Sequence, residues 1–169
     1  MRNLGNLVTE SMLADVIDNL TGAILLVNRD RRVILANKMT EKMTGQPQTA
    51  LQGRRGGEVL GCVNAARSPG GCGFDARCTF CGIKRMVEET FAHKAANTFL
   101  SAEVASTLFG RRDLRVSTKY LIVDNAEAVL ISMEDVTREK TEERLRMENA
   151  QLVAAMETAG AVCHELNQP

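Results

Sequence analysis

Three successive segments in the C-terminal half of the chain alternate apolar and polar residues, and this pattern constrains the fold more than any other feature. Alternation places every second side chain on the same face of an extended strand. Asp124-Asn125 and the stretch from Gly110 to Asp113 carry the glycine and polar residues that favour turns between the segments. The sequence therefore predicts three consecutive antiparallel strands, at about Phe99–Leu108, Leu114–Ile122 and Ala128–Met133.

The N-terminal part of the chain predicts a short helix followed by two more strands. Two apolar runs, Ala23–Val27 and Val33–Ala36, flank a charged turn at Arg29-Asp30-Arg31-Arg32 and predict a hairpin. Asn37 is suited to cap a following helix that ends at Gly45. Within residues 1–20, one face of an amphipathic helix is formed by apolar residues at helical spacing: Leu13, Val16, Ile17 and Leu20.

The predicted order of elements is two strands, then helices with an irregular segment, then three strands. Five antiparallel strands with helices on one face form an α+β domain, with a cavity between the helices and the sheet. From Arg138 onward the composition changes to Arg, Glu, Lys, Met, Leu and Ala, without a proline until Pro169. This change predicts a single long helix after the sheet domain.

The charge and hydropathy of the chain exclude several classes of partner. The 21 Lys and Arg residues balance the 21 Asp and Glu residues, so the chain has no overall field that would attract nucleic acid. The longest apolar run, Ala23–Val27, is far shorter than the ~20 residues that span a bilayer, and the polar start at Met1-Arg2-Asn3 does not resemble a secretory signal. We therefore expect a cytoplasmic protein that has no membrane segment and does not bind nucleic acid.

The long C-terminal helix carries a heptad pattern over residues 138–160 that continues into residues 161–169. Residues at one core position are Asn149, Met156 and Cys163, and those at its partner position are Leu145, Leu152, Ala159 and Leu166. Such a pattern predicts a parallel two-stranded coiled coil and hence a homodimer, in which an Asn at a core position fixes the register. In that register Cys163 packs in the seam and His164 faces outward.

Four of the five cysteines lie in a glycine-rich segment, residues 53–82, in which no helical or strand period is visible. They are Cys62, Cys72, Cys78 and Cys81, with a spacing of Cys-x9-Cys-x5-Cys-x2-Cys. Four thiolates on a loop in which glycine permits tight turns suit zinc or an iron-sulfur cluster, and the dispersed spacing favours a cluster over a structural zinc site. The alternatives are a thiol/disulfide switch without a metal, which neighbouring basic residues would favour, and inert packing.

The order and spacing of these elements resemble the PAS sensor domain over residues 21–137. The most characteristic pieces are the first strand at Gly22–Asn28, Asn37 after the second strand, and Glu134-Asp135-Val136-Thr137 at the end of the last strand. In PAS domains the segment before the long central helix commonly holds the ligand, so the resemblance places the cysteines at the sensing position. Some PAS domains bind haem through a histidine on that helix, but we interpret His93 as a surface residue that ends it.

Residues 161–169 resemble the phosphoacceptor box of two-component sensor histidine kinases. The sequence His164-Glu165-Leu166-Asn167-Gln168-Pro169 matches the start of their dimerisation domain. The resemblance implies that His164 accepts the γ-phosphoryl group of ATP, that Glu165 accepts or orients the ring proton, and that a response regulator is the partner. A neutral imidazole is a competent nucleophile at neutral pH.

The resemblance also implies a separate ATP-binding domain after the phosphoacceptor helices, which these 169 residues do not include. We therefore expect the chain to be the sensory and dimerisation part of a histidine kinase, inactive alone, that senses redox state, oxygen or metal through its four cysteines. The alternative is a free-standing metal- or redox-binding PAS dimer that regulates a partner by contact, without kinase activity.

Overall fold

The computed structural model describes the backbone of residues 10–166 and the side chains of residues 12, 15–97 and 101–157. The chain divides into two compact units, Met1–Asp135 and Val136–Pro169. The helices of the first unit are α1 (Glu10–Asp18), α2 (Lys38–Thr44), α3 (Gln48–Leu51), α4 (Gly56–Val59), α5 (Val63–Arg67) and α6 (Gly82–His93), with a 3-10 helix at Ala76–Phe80. Its strands are β1 (Ala23–Val27), β2 (Val33–Ala36), β3 (Asn97–Ser106), β4 (Gly110–Val123) and β5 (Ala126–Asp135).

The five strands form one antiparallel sheet in the order β2-β1-β5-β4-β3, which confirms the sheet expected from the alternation pattern. The first strand therefore pairs with the last, and β2 and β3 form the two edges of the sheet. Helix α6 packs across β3, β4 and β5, and α2 packs on β1. The helices and one face of the sheet enclose an apolar core whose fully buried members include Leu25, Leu51, Val59, Leu114, Val116 and Val129.

A buried asparagine joins the helices to the first strand. Asn37, which has no exposed surface, caps α2 because its Oδ1 accepts the Thr40 N–H at 3.0 Å. The same oxygen accepts the Ile24 N–H of β1 at 2.9 Å. Its Nδ2 donates to the carbonyl oxygens of Ile17 at 3.1 Å and Gly22 at 3.0 Å. The predicted cap is thus confirmed, and the side chain also satisfies backbone groups that the core would otherwise leave unpaired.

The turn between β3 and β4 differs from the prediction. It comprises residues 107–109 and is closed by the pairing of Ser106 with Gly110, so Gly110–Asp113 lies in β4 and does not form the turn. The charged residues remain in the strand because they pair with neighbouring strands. Arg111 forms an ion pair with Glu103 at 2.8 Å, and Arg112 forms one with Asp135.

The glycine-rich segment also contains more regular structure than its sequence predicts. Two short helices, α4 and α5, and the 3-10 helix lie within residues 53–82. Each spans only four or five residues, too few for a hydrophobic period to show in the sequence. Long-range hydrogen bonds, described below, replace the apolar stripe that stabilises a longer helix.

The C-terminal end of α6 is fixed to the sheet by one carboxylate. Glu127 on β5 accepts hydrogen bonds from the Tyr120 hydroxyl at 2.8 Å and from the Arg29 guanidinium, and Lys94 lies 3.0 Å from it. Hydrogen bonds from Arg29, Lys94 and Tyr120 lower the pKa of Glu127 from its ordinary value to about 2. His93 is the last residue of α6 and is exposed, as its interpretation as a surface residue requires.

The second unit is the helix α7 (Thr137–Leu166). It is continuous from the region predicted as a coiled coil into the region predicted as the phosphoacceptor box. Its apolar side chains up to residue 157 are exposed in the single chain, for example Leu145, Leu152 and Met156. None of the helices in the described part of the chain has the length and hydropathy needed to cross a membrane.

We expect Asn37→Ala to lower the free energy of unfolding by about 3 kcal/mol or more, because it removes four hydrogen bonds that the side-chain amide makes to buried or partly buried backbone groups. Urea denaturation would measure this change. The matched control is Asn19→Ala, since within the described part of the chain the exposed Asn19 amide donates a single hydrogen bond, to the Asp15 carbonyl, and we expect it to cost less than about 1 kcal/mol. Equal losses for the two variants would contradict the assignment.

Candidate functional site

The four clustered cysteines lie in or next to short helices and turns of the segment that leads into α6. Cys62 is the residue before α5, Cys78 lies within the 3-10 helix, and Cys81 is the residue before α6. Cys72 lies in the turn between α5 and the 3-10 helix. Cys78 is buried, the other three are partly exposed, and all four are free thiols.

The Cys72 thiol packs directly on the backbone of α4. A Cβ atom added at Gly57 would lie 2.6 Å from the Cys72 Sγ, so only a glycine permits this approach. The neighbouring carboxylate of Glu58 accepts the Cys72 N–H at 3.4 Å and the Arg55 N–H at 3.1 Å. Glu58 therefore connects the start of α4 to the turn that carries Cys72, over a sequence separation of 14 residues.

Two arginines attach the β1–β2 turn to the cysteine segment. Arg55 donates to the carbonyl oxygens of Asp30 at 3.4 Å and Gly70 at 3.3 Å, and its guanidinium carbon lies 5.0 Å from the centre of the Phe74 ring. From the turn itself, the Arg31 guanidinium packs against Gly73, where an added Cβ would lie 2.7 Å from Nη2. Gly73 has a φ of +96°, a conformation that other residues rarely adopt.

Arg31 brings a partly buried positive charge to this segment. Among the described residues, its Nη1 is a buried side-chain atom without a hydrogen-bond acceptor, although the Glu88 carboxylate lies 3.4 Å away. A separation within ion-pair range without a well-directed hydrogen bond explains both observations. The backbone of Arg31 has a φ of +60°, in the left-handed region that residues other than glycine adopt uncommonly.

The environment of Cys72 favours the protonated thiol. Burial raises the pKa of Cys72, and the Gly57 backbone and the Arg31 charge partly oppose this effect. The nearby Cys81 and Cys78 raise the pKa of Cys72 further.

Cys62 is held at a different place, next to the β3–β4 turn. Its backbone forms an isolated bridge with Ser106, and its N–H donates to the Gly57 carbonyl at 2.7 Å. Within the part of the chain that the structure describes, no three Cys, His, Asp or Glu side chains converge closely enough to hold a metal ion. The donor chemistry suits a soft metal, but the sulfur atoms do not form a preorganised metal cage.

Sequence reasoning missed Arg31, Arg55 and Glu58 as residues of this region. The charged tetrad Arg29–Arg32 was predicted only as a turn, and its contact with the cysteines depends on how the first hairpin lies against residues 70–74. The sequence feature that could have pointed to these residues is the concentration of arginines around the glycine-rich segment.

The two residues predicted for phosphoryl transfer lie in α7. The structure describes the backbone at His164 and Glu165 as helical, and their side chains are outside the described residues. The side chain of Cys163, predicted to pack in the coiled-coil seam, is likewise outside them, as are Asn167, Gln168 and Pro169 altogether.

We expect Arg31→Gln to raise the pKa of Cys72 further and so to slow alkylation of Cys72 at a fixed pH near 8, since the Arg31 charge now lowers that pKa. Each unit of increase in the pKa of Cys72 lowers its thiolate fraction about tenfold. Mass spectrometry after timed exposure to iodoacetamide would give the rate at each cysteine. Arg85→Gln is the control, because it removes an exposed charge that pairs with Glu89. An unchanged or faster rate at Cys72 in Arg31→Gln would contradict the electrostatic interpretation.

Comparisons with known proteins identify the fold. A family model described as the PAS fold matches residues 11–59. No curated protein matches the sequence.

Solved structures match over a larger part of the chain. The PAS domain of a protein from Colwellia psychrerythraea has a TM-score of 0.56 at 15% identity, over 76% of this chain and 97% of that one. The PAS domain of nitrogen regulation protein NR(II) from Vibrio parahaemolyticus has a TM-score of 0.54 at 11% identity, over 73% of this chain and 97% of that one.

A longer protein is similar over nearly the whole chain. The histidine kinase ThkA, solved in complex with the response regulator protein TrrA, has a TM-score of 0.58 at 22% identity, over 96% of this chain. The chain spans 41% of the length of that kinase. At these identities the similarities establish the fold: the sheet, its antiparallel strand order and the helices packed on it are those of a PAS domain.

Proposed function

We propose that this chain is the sensory and dimerisation region of a two-component sensor histidine kinase, in which a PAS domain controls phosphorylation of His164. The main supporting observation is that the last strand of the PAS sheet ends at Asp135 and the continuous helix α7, which carries His164, begins at Thr137. The PAS domains of solved sensor histidine kinases are similar in fold, which adds support. The activity requires an ATP-binding domain supplied by the rest of the protein or by a partner.

The proposed chemistry at His164 is transfer of the γ-phosphoryl group of ATP to an imidazole nitrogen. One ring nitrogen attacks phosphorus, ADP leaves, and the proton on the other nitrogen must be held or accepted for the ring to stay nucleophilic. We propose that Glu165 accepts or orients that proton. The phosphoryl group then passes to a carboxylate of a response regulator, the class of partner that ThkA binds in its solved complex.

We further propose that α7 pairs with a second copy of itself. Leu145 is 50% exposed, Leu152 62% and Met156 73% in the single chain, and all three occupy predicted heptad core positions. Burying such a stripe against an identical helix removes apolar surface from water and is the usual basis of a parallel coiled coil. A dimer also allows one subunit to phosphorylate the other.

The proposed stimulus acts on the four cysteines. Their thiolates suit zinc or an iron-sulfur cluster, for which Cys62, Cys72, Cys78 and Cys81 would be the ligands. Metal binding would require the segment to rearrange, because Cys62 is held apart beside Ser106. A thiol/disulfide switch needs only two sulfur atoms to meet, and the effect of Cys81 and Cys78 on the pKa of Cys72 favours it as the second candidate.

In the whole protein incubated with ATP labelled on the γ-phosphate, we expect acid-labile label that His164→Gln reduces to background, because the nucleophile is removed. The chain contains two histidines, so His93→Gln, at the exposed end of α6, is a matched control that we expect to retain label. Autoradiography would measure both.

Label that survives in His164→Gln would contradict the phosphoacceptor assignment. A wild-type protein that takes no label and contains no ATP-binding domain would instead support the alternative, a free-standing metal- or redox-binding PAS dimer that regulates a partner by contact.

Anaerobic purification followed by metal analysis, visible absorption and thiol counting tests the cysteine site. Iron with sulfide and a brown colour would support a cluster, and stoichiometric zinc without colour would support a zinc site. A metal-free protein whose free-thiol count falls by two upon mild oxidation would support the switch. A metal-free protein whose count does not change would contradict sensing by these cysteines. Simultaneous replacement of Cys78 and Cys81 by serine should abolish any of the three signals, whereas Cys163→Ser should not.

A further inference from the structure

The cysteine segment makes a second, separate contact with the sheet, at the β3–β4 turn. The Thr107 N–H donates to the Gly61 carbonyl at 2.8 Å, and the Ser106 hydroxyl donates to the Leu60 carbonyl at 2.6 Å. The Thr107 hydroxyl also lies 3.1 Å from the Gly61 carbonyl. These bonds join residues that are 46 positions apart in the sequence.

Close packing accompanies the hydrogen bonds. Gly61 has a φ of +61°, and an added Cβ would lie 2.6 Å from the Leu108 Cγ and 3.1 Å from the Ser106 Oγ. Ser106 is buried, and its hydroxyl oxygen also accepts the Leu108 N–H at 2.9 Å, so it fixes the turn on both sides. Any movement of Gly61 therefore requires a movement of the turn.

This contact lies directly beside Cys62. The isolated bridge between Cys62 and Ser106 continues the same backbone pairing by one residue. Chemistry that moves Cys62, such as ligation or oxidation, must therefore break or strain the hydrogen bonds of the turn.

Strand β4 begins directly after this turn and pairs with β5, the last strand of the sheet. Four residues beyond Gly110, Leu114 pairs with Asp135, the final residue of β5, and the intervening Arg112 forms an ion pair with Asp135. A displacement of the turn thus has a short, hydrogen-bonded path to the end of β5.

We propose that residues 60–62 and residues 106–108 form a latch that couples the state of Cys62 to strand β4. The proposal rests on the proposed sensing by the cysteines for its biological purpose, but the coupling itself is a property of the fold. Coupling is reciprocal: if a change at Cys62 loosens the turn, then a change in the turn must alter the accessibility of Cys62.

The first test changes a residue of the turn and measures the reactivity of Cys62. Leu108→Ala removes packing on Gly61 from a residue that is 46% exposed, so the fold should persist. We expect carboxamidomethylation of Cys62 by iodoacetamide to accelerate about fivefold or more, the lower end of typical coupling between sites. The rate at Cys78, which does not contact the turn through any of these bonds, should remain unchanged.

Gly61→Ala provides a second variant, with a matched glycine as its control. The new methyl group would collide with Leu108, and we expect the same acceleration at Cys62. Gly53→Ala imposes a similar backbone strain, at a φ of +74°, but its methyl group would meet nothing within 4 Å. It should therefore leave the Cys62 rate as in the wild type.

The reciprocal test modifies Cys62 and measures hydrogen exchange in the turn. Alkylation forms a C–S bond at Cys62 and releases iodide and a proton, without an oxidant or a metal. In a variant in which the other four cysteines are serine, so that only Cys62 can react, we expect faster hydrogen exchange at the Thr107 amide after alkylation. The Gly45 amide, which donates to the Glu41 carbonyl at 2.7 Å at the end of α2, should not change.

Unchanged Cys62 reactivity in both Leu108→Ala and Gly61→Ala, or unchanged exchange at Thr107 after alkylation, would overturn the latch. These results are independent of metal content and of phosphorylation. A coupled turn in a protein that shows neither metal nor thiol chemistry would sustain the latch and overturn the proposed sensing, and an uncoupled turn in a redox-responsive protein would do the reverse.

Discussion

The buried amide of Asn37 is the interaction on which the arrangement of the first unit depends. The first strand pairs with the last, so β1 must be held in place before the sheet can close around it. Apolar packing alone does not fix a strand along its own axis, because neighbouring apolar side chains are similar in shape. The Asn37 amide does so, since its oxygen binds the Ile24 N–H and its nitrogen binds the Gly22 carbonyl. Register in the centre of the sheet is thereby set by a polar group inside the core.

The cysteine segment is stabilised in a different way, with few apolar anchors and many bonds to charged side chains. Leu51 enters the core before residues 53–82, Val59 and Leu60 enter it early in them, and Met86 and Val87 enter it after them. Between these points Glu58, Arg55 and Arg31 hold the backbone through hydrogen bonds and close packing against glycines. Partly exposed polar bonds are individually weak in water. This makes the segment the part of the domain whose conformation a chemical change at a thiol can alter at least cost to the core.

Sequence patterns predicted the strands because alternation and apolar runs report burial directly, as in Ala23–Val27 and Leu114–Ile122. The Asn37 cap followed from local chemistry between residues three positions apart. The β3–β4 turn was misplaced because Arg111 and Arg112 resemble turn residues until their partners Glu103 and Asp135 are known. The contacts of Arg31, Glu58 and Ser106 could not be assigned from the sequence, since each joins residues 14 or more positions apart that meet only in the folded domain.

The free energy of the contacts in the latch is also of the magnitude that a signalling switch requires. A tenfold change in the ratio of two states requires about 1.4 kcal/mol. The latch contains three hydrogen bonds between residues 60–61 and 106–107, each with a net worth of about 1 kcal/mol, and the loss of one or two of them is sufficient. The pairing of β4 with β5, in contrast, extends without interruption from Leu114–Asp135 to Val123–Ala126. The sheet can therefore remain intact while the turn opens, so that a small local change reaches the end of β5 as a displacement and not as unfolding.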